Sequence, residues 1–148
     1  MKITAKIFIS IIAVVFATLI ISPIKTDAAF LTKAPPSHYD KGLTIPAASK
    51  THKPLVVIFY ADWCSACIKF VPEVDKYRKI YKGKYEFVLV NIDNKSSKKL
   101  AEEYYVASLP SVYLVNNKNS NVVYLNPAKY NNVSRMVVEF DRFLRLNK

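Results

Sequence analysis

The sequence predicts an α/β domain, a mixed β-sheet with helices on both faces. Two observations predict it. Short apolar runs rich in β-branched and aromatic residues alternate with stretches whose apolar residues recur at three- and four-residue steps. Read in order, these give strand, helix, strand, helix, strand, strand, helix. The 96 residues from Lys53 onward suffice for one core.

The N-terminus carries Lys2 and Lys6, then an uncharged stretch of 18 residues, 7–24, almost wholly apolar in its core. It reads as a signal peptide or an uncleaved membrane anchor over residues 1–28, with small residues around Ala28 offering a cleavage site. Its basic end stays in the cytoplasm and the remainder is exported. Residues 29–53 hold Pro35, Pro36, Gly42 and Pro46 with little periodicity, and read as a linker that leaves room for a short first strand and helix at 43–49. The domain proper is assigned to 54–148.

Leu55–Tyr60 is a continuous apolar run, as expected of a central strand covered on both faces. Cys67, Phe70, Val71, Val74, Tyr77 and Tyr81 then share one face of a helix over 65–81. Residues 85–92 read as a second central strand, ended by Asp93-Asn94, after which Ser96 or Ser97 caps a helix running to 105. Residues 111–115 and 122–125 form antiparallel strands joined by the polar loop 116–121. Val133, Val137, Phe140 and Leu144 make one face of a last helix, with Met136 and Phe143 beside it.

The chemistry is concentrated at Ala61-Asp62-Trp63-Cys64-Ser65-Ala66-Cys67, which holds the chain's two cysteines. A helix that opens here puts a thiol near unpaired N–H groups and the positive end of the helix dipole, which favours the attacking thiolate. Spacing of three lets the second thiol reach the first, so the pair can close a disulfide and reopen it. As a structural staple the pair closes a very small loop and constrains the unfolded chain little. A zinc site needs two further ligands, and His38 and His52 lie outside any Cys/His cluster. Haem attachment needs a His after Cys67, where Ile68 stands.

Net charge is +11, and residues 53–148 hold 16 Lys and Arg against 9 Asp and Glu. The charges are scattered, with no dense basic stripe interleaved with aromatics, so nucleic acid is not an expected partner.

Trp63-Cys64-x-x-Cys67 after a hydrophobic strand, Pro72 five residues later, and Leu109-Pro110 before a late strand resemble the thioredoxin family. Within it, the stretch Phe59-Tyr60-Ala61-Asp62-Trp63-Cys64, with Pro72, Val74, Lys76 and Tyr81, then Phe87-Val88 and Asn91-Ile92-Asp93-Asn94, is similar to membrane-anchored thioredoxin-like proteins of cyanobacteria and chloroplasts. Those face the lumen or periplasm and supply reductant during c-type cytochrome assembly. The resemblance implies a thioredoxin fold and a redox-active Cys64–Cys67 pair, Cys64 attacking and Cys67 resolving. It implies a substrate edge at Leu109-Pro110, whose bond is expected to be cis, facing the cysteines. Trp63 either forms the surface beside Cys64 or packs half-buried. Protein disulfides or dithiols are the implied substrates, a membrane electron donor is a candidate partner, and no metal or cofactor is called for.

The sequence departs from the family in three places. Ile58 stands six residues before Cys64, where the family often buries a carboxylate that helps deprotonate the second cysteine. Leu89 takes the place of a lysine on the next strand. Ser65-Ala66 replaces Gly-Pro between the cysteines. Asp62 is a candidate substitute for the missing acid, but reads more simply as a solvated turn residue. Resolution by Cys67 is therefore expected to be slow. The leading function is an exported disulfide reductase. The alternatives are a periplasmic oxidase or isomerase, and a thioredoxin-fold binding module with inert cysteines.

Overall fold

The computed structural model describes residues 33–130 and 132–147. The expected signal peptide or anchor at 1–28 lies outside the described residues.

Among the described residues, four strands form one mixed sheet: β1 (Leu55–Tyr60), β2 (Glu86–Asn91), β3 (Ser111–Asn116) and β4 (Asn121–Leu125). Their spatial order is β2-β1-β3-β4. β1 runs parallel to β2 and antiparallel to β3, and β3 pairs antiparallel with β4. The helices are α1 (Ile45–Ser49), α2 (Ser65–Ile80), α3 (Lys98–Glu103), α4 (Pro127–Tyr130) and α5 (Val133–Leu146), with short 3-10 turns at Pro36–His38 and Lys95–Ser97.

Every β1 residue is buried, so its two sets of side chains divide between two cores. Val56, Ile58 and Tyr60 meet α2 and α5. Leu55, Val57 and Phe59 meet Ala48 of α1 and the partly buried Leu100 and Ala101 of α3. Register sets Ile58 beside both Leu89 and Val112, which makes the sheet beneath the cysteine helix wholly apolar there.

Phe140 of α5 is the centre of the first core. The rings of Tyr77, Tyr81, Tyr85 and Phe87 lie 5.0–6.2 Å from it. The Tyr81 hydroxyl, at the C-cap of α2, donates to the Val137 carbonyl at 3.0 Å and so fastens α2 to α5, while that of Tyr85, just before β2, donates to the Phe140 carbonyl at 2.9 Å, so these two phenols are satisfied.

The structure departs from the sequence reading at several elements. β2 lies at the edge of the described sheet rather than at its centre; upstream, among the described residues, only Gly42 bridges to it, at Val88. Gly42 has φ +68°, and a Cβ there would lie 1.8 Å from the Phe87 carbonyl oxygen, so only glycine fits. The buried stripe of α5 is Met136, Phe140 and Phe143; Val133 is exposed and Val137 and Leu144 are half-buried, a face turned from the expected one. Ser97 precedes α3 without a side-chain cap, in a 3-10 turn that already bonds the backbone. α3 stops at Glu103, and Tyr105 turns left-handed at φ 51°.

Residues 33–53, read as linker, carry the Pro36–His38 turn and α1, whose first turn is capped by Thr44 Oγ1 accepting from the Ala47 N–H. Arg78 of α2 fastens this segment through the Asp40 carboxylate (3.2 Å) and carbonyl (2.7 Å). The Leu89 N–H donates to the Lys41 carbonyl at 2.9 Å, which covers part of the open edge of β2.

Candidate active site

β1 delivers the chain to a tight turn at Asp62-Trp63, and α2 begins at once. Cys64 is the N-cap, in extended conformation, and its sulfur accepts from the Cys67 N–H at 3.1 Å. The first turn of α2 has no acidic residue, so the positive end of the helix is not offset there. Cys64 and Cys67 are joined in a disulfide, with Cα atoms 5.2 Å apart. Among the described residues no three His, Cys, Asp or Glu side chains gather as a metal site.

The two sulfurs are not equivalent. Cys67 is fully buried, whereas Cys64 keeps 7% of its surface and opens into a hollow of about 420 Å³. That hollow is walled by Trp63, Ser65 and Ala66 on one side and by residues 106–109 on the other. Leu109 therefore faces Cys64 across it. The Leu109–Pro110 peptide bond is cis, and Pro110 is buried behind Leu109. Trp63 is 69% exposed, which decides between its two readings in favour of surface. Its indole N–H donates to Asp93 Oδ1 at 3.1 Å, so it stands out from the fold in a fixed orientation.

Asp62 is not the freely solvated turn residue expected from sequence. It is half-buried, and its carboxylate accepts from the Ser37 N–H at 2.8 Å, which ties the N-terminal segment to the turn before Cys64. Ile58 and Leu89 are 1% and 7% exposed, so two apolar side chains hold the places of the family's acid and lysine.

The family model described as Thioredoxin matches residues 43–139. The chain belongs to the thioredoxin family. It is 38% identical over 81 residues to the thioredoxin-like protein HCF164, chloroplastic, of Arabidopsis thaliana, covering 53% of this chain and 31% of that protein. It is 32% identical over 75 residues to a thiol:disulfide interchange protein TxlA homolog of Synechocystis, covering 50% of this chain and 42% of that protein. The chain thus spans less than half the length of either relative. The crystal structure of the J-Trx1 fragment of ERdj5 shares the fold at TM-score 0.58 and 22% identity, over 68% of this chain and 47% of that one. The Cys64–Cys67 pair lies within the residues that the family model matches.

Three contacts of this thioredoxin site were not legible in the sequence. Asp93, which the sequence offers as a strand terminator and as part of the Asn91-Ile92-Asp93-Asn94 likeness, orients Trp63. The Ser111 hydroxyl donates to the Ser108 carbonyl at 2.7 Å. Tyr130 donates to the Pro110 carbonyl at 2.6 Å from twenty residues away. No local pattern marks the Trp63–Asp93 and Tyr130–Pro110 pairs, and the Ser111–Ser108 bond is set by the loop's backbone.

Proposed function

We propose that this protein is an exported thioredoxin-like reductase of protein disulfides. The observation that carries the reading is the asymmetry of the pair: Cys64 lines an open hollow at a helix N-terminus, and Cys67 is sealed beneath it. In the dithiol form, the Cys64 thiolate attacks one sulfur of a client disulfide. A Cys64–client disulfide forms and the other client sulfur leaves as a thiolate. Cys67, as thiolate, then attacks the Cys64 sulfur. The Cys64–Cys67 disulfide closes and the second client sulfur departs, so two electrons pass to the client and solvent supplies its protons. In this reading Trp63 and Leu109 wall the client site, and Pro110 backs it.

Export is supported by the apolar stretch at 7–24 behind Lys2 and Lys6, whether it is cleaved or retained as an anchor. The reducing direction is supported by the likeness to membrane-anchored family members and by relatives named as a chloroplastic thioredoxin-like protein and a thiol:disulfide interchange protein. Continued turnover outside the cytoplasm then draws on a membrane electron donor.

The test uses the reduced full chain and a model protein disulfide. The parent chain reduces it with matching loss of its own thiols, Cys64→Ser does nothing, and Cys67→Ala accumulates a mixed disulfide visible by mass spectrometry. A Cys67→Ala chain that forms no mixed disulfide while its Cys64 thiol is free sinks the reading and leaves a binding module with inert cysteines.

A further inference from the structure

The loop that faces Cys64 is held from behind by two hydroxyls. Ser111 Oγ takes the Ser108 carbonyl (2.7 Å) and Tyr130 Oη takes the Pro110 carbonyl (2.6 Å). Between these two tied carbonyls lies Leu109, whose N–H and carbonyl have no hydrogen-bond partner among the described residues. Leu109 also lines the hollow with Trp63 and Cys64. The loop is thus fixed on both sides of the residue whose backbone remains open to an extended chain.

The two ties differ in reach. Ser111 acts within its own loop. Tyr130 comes from α4, and its ring packs on Phe70 of α2 at a centroid distance of 5.0 Å. Phe70 lies one helical turn beyond Cys67 on the same buried face. One side chain therefore touches both halves of the site, the loop that offers Leu109 and the helix that carries the cysteines. Burial pushes the Tyr130 phenol up to about 12, so its O–H remains a donor through neutral and mildly alkaline solution. Neither atom of the tie belongs to the reacting sulfurs.

We infer that Tyr130 is a positioning residue for the client: through the Pro110 carbonyl it sets the Leu109 backbone edge at the height at which an extended disulfide-bearing peptide meets Cys64. The inference rests on the reductase reading for its kinetic consequence, but the binding edge itself does not depend on electron flow. Tyr130→Phe keeps the ring on Phe70 and removes only the O–H, which leaves the Pro110 carbonyl without its donor. A small disulfide that does not lie along Leu109 is indifferent to the change, and a peptide disulfide is not.

The experiment compares the full-length parent and Tyr130→Phe chains on a peptide disulfide and on hydroxyethyl disulfide. It also measures the dissociation constant of the same peptide with its cysteine S-methylated. The expected result is a rise of about three- to tenfold in KM for the peptide disulfide, the effect of one hydrogen bond, with kcat and the hydroxyethyl disulfide rate unchanged. The S-methylated peptide weakens by the same factor. Unchanged peptide KM and affinity overturn the inference. So does an equal fall in the rates with both disulfides, which marks a general structural role. If the parent reduces neither disulfide, the reductase reading fails on its own, and the S-methylated peptide still decides the role of Tyr130.

Discussion

Beneath the cysteines the decisive residues are apolar. Ile58 and Leu89 lie side by side in the β1–β2 register, and both are buried. A thiol at Cys67 must lose its proton before it attacks, and nothing ionisable stands at either place to receive it. Asp62 does not stand in for the missing acid in the structure: one carboxylate oxygen accepts from the Ser37 N–H, and no hydrogen bond joins Asp62 to Cys67 among the described residues. The expected outcome is a slow second step: in stopped-flow exchange the mixed disulfide builds up and decays more slowly than with a thioredoxin that keeps the buried acid. Decay as fast as that of such a thioredoxin contradicts this. Much of this scale was legible in the sequence. Cys64, Cys67, Ile58, Leu89 and Pro110 are read from spacing and from likeness to the family. The Trp63–Asp93 and Tyr130–Pro110 bonds join residues thirty and twenty positions apart and leave no periodic trace, and the Ser111–Ser108 bond depends on the loop's own backbone geometry.

Among the elements, α2 is held from three directions: β1 below, α5 through the Tyr81 phenol, and the N-terminal segment through Arg78. Arg78 is mostly buried, sits 5.5 Å over the Phe87 ring, and makes two hydrogen bonds to Asp40. Arg78→Ala removes a charge-assisted contact and aliphatic packing together, so a loss of about 1–3 kcal/mol is expected. It also frees residues 33–44, which become the first site of limited proteolysis. Denaturant unfolding and timed digestion check both; unchanged stability with a protected segment is the contrary result. The strands and α2 were placed from sequence to within a residue or two, because their apolar runs and three-to-four spacing are strong. Val133, Val137 and Leu144 adjoin Met136, Phe140 and Phe143 on one apolar face of α5, so periodicity finds the face and only packing decides that its Met136-Phe140-Phe143 flank is the buried one. The packing of 33–53 was hidden by its prolines, which look like linker residues until Gly42 and Arg78 are seen to fasten them.

The whole molecule is basic and rich in buried phenols. Burial, ahead of any neighbouring charge, raises Tyr60, Tyr77, Tyr81, Tyr85, Tyr104, Tyr113 and Tyr130 above the ordinary phenol value. The folded state therefore holds these protons more tightly than the unfolded chain, whose phenols titrate near about 10. Their contribution is fully present below about pH 10 and is lost as pH rises from there through the folded values, about 12 for Tyr130. Thermal midpoints measured from pH 8 upward should hold to about 10 and then fall. A midpoint that stays level through pH 12 opposes the assignment.

We propose that Cys64–Cys67 is a reversible couple that runs as a reductant. The equilibrium reduction potential of the full chain tests it most directly. A value near that of thioredoxin, about −270 mV, is the predicted result; a value near about −120 mV makes the protein an oxidant, and the absence of a reversible couple contradicts the account outright.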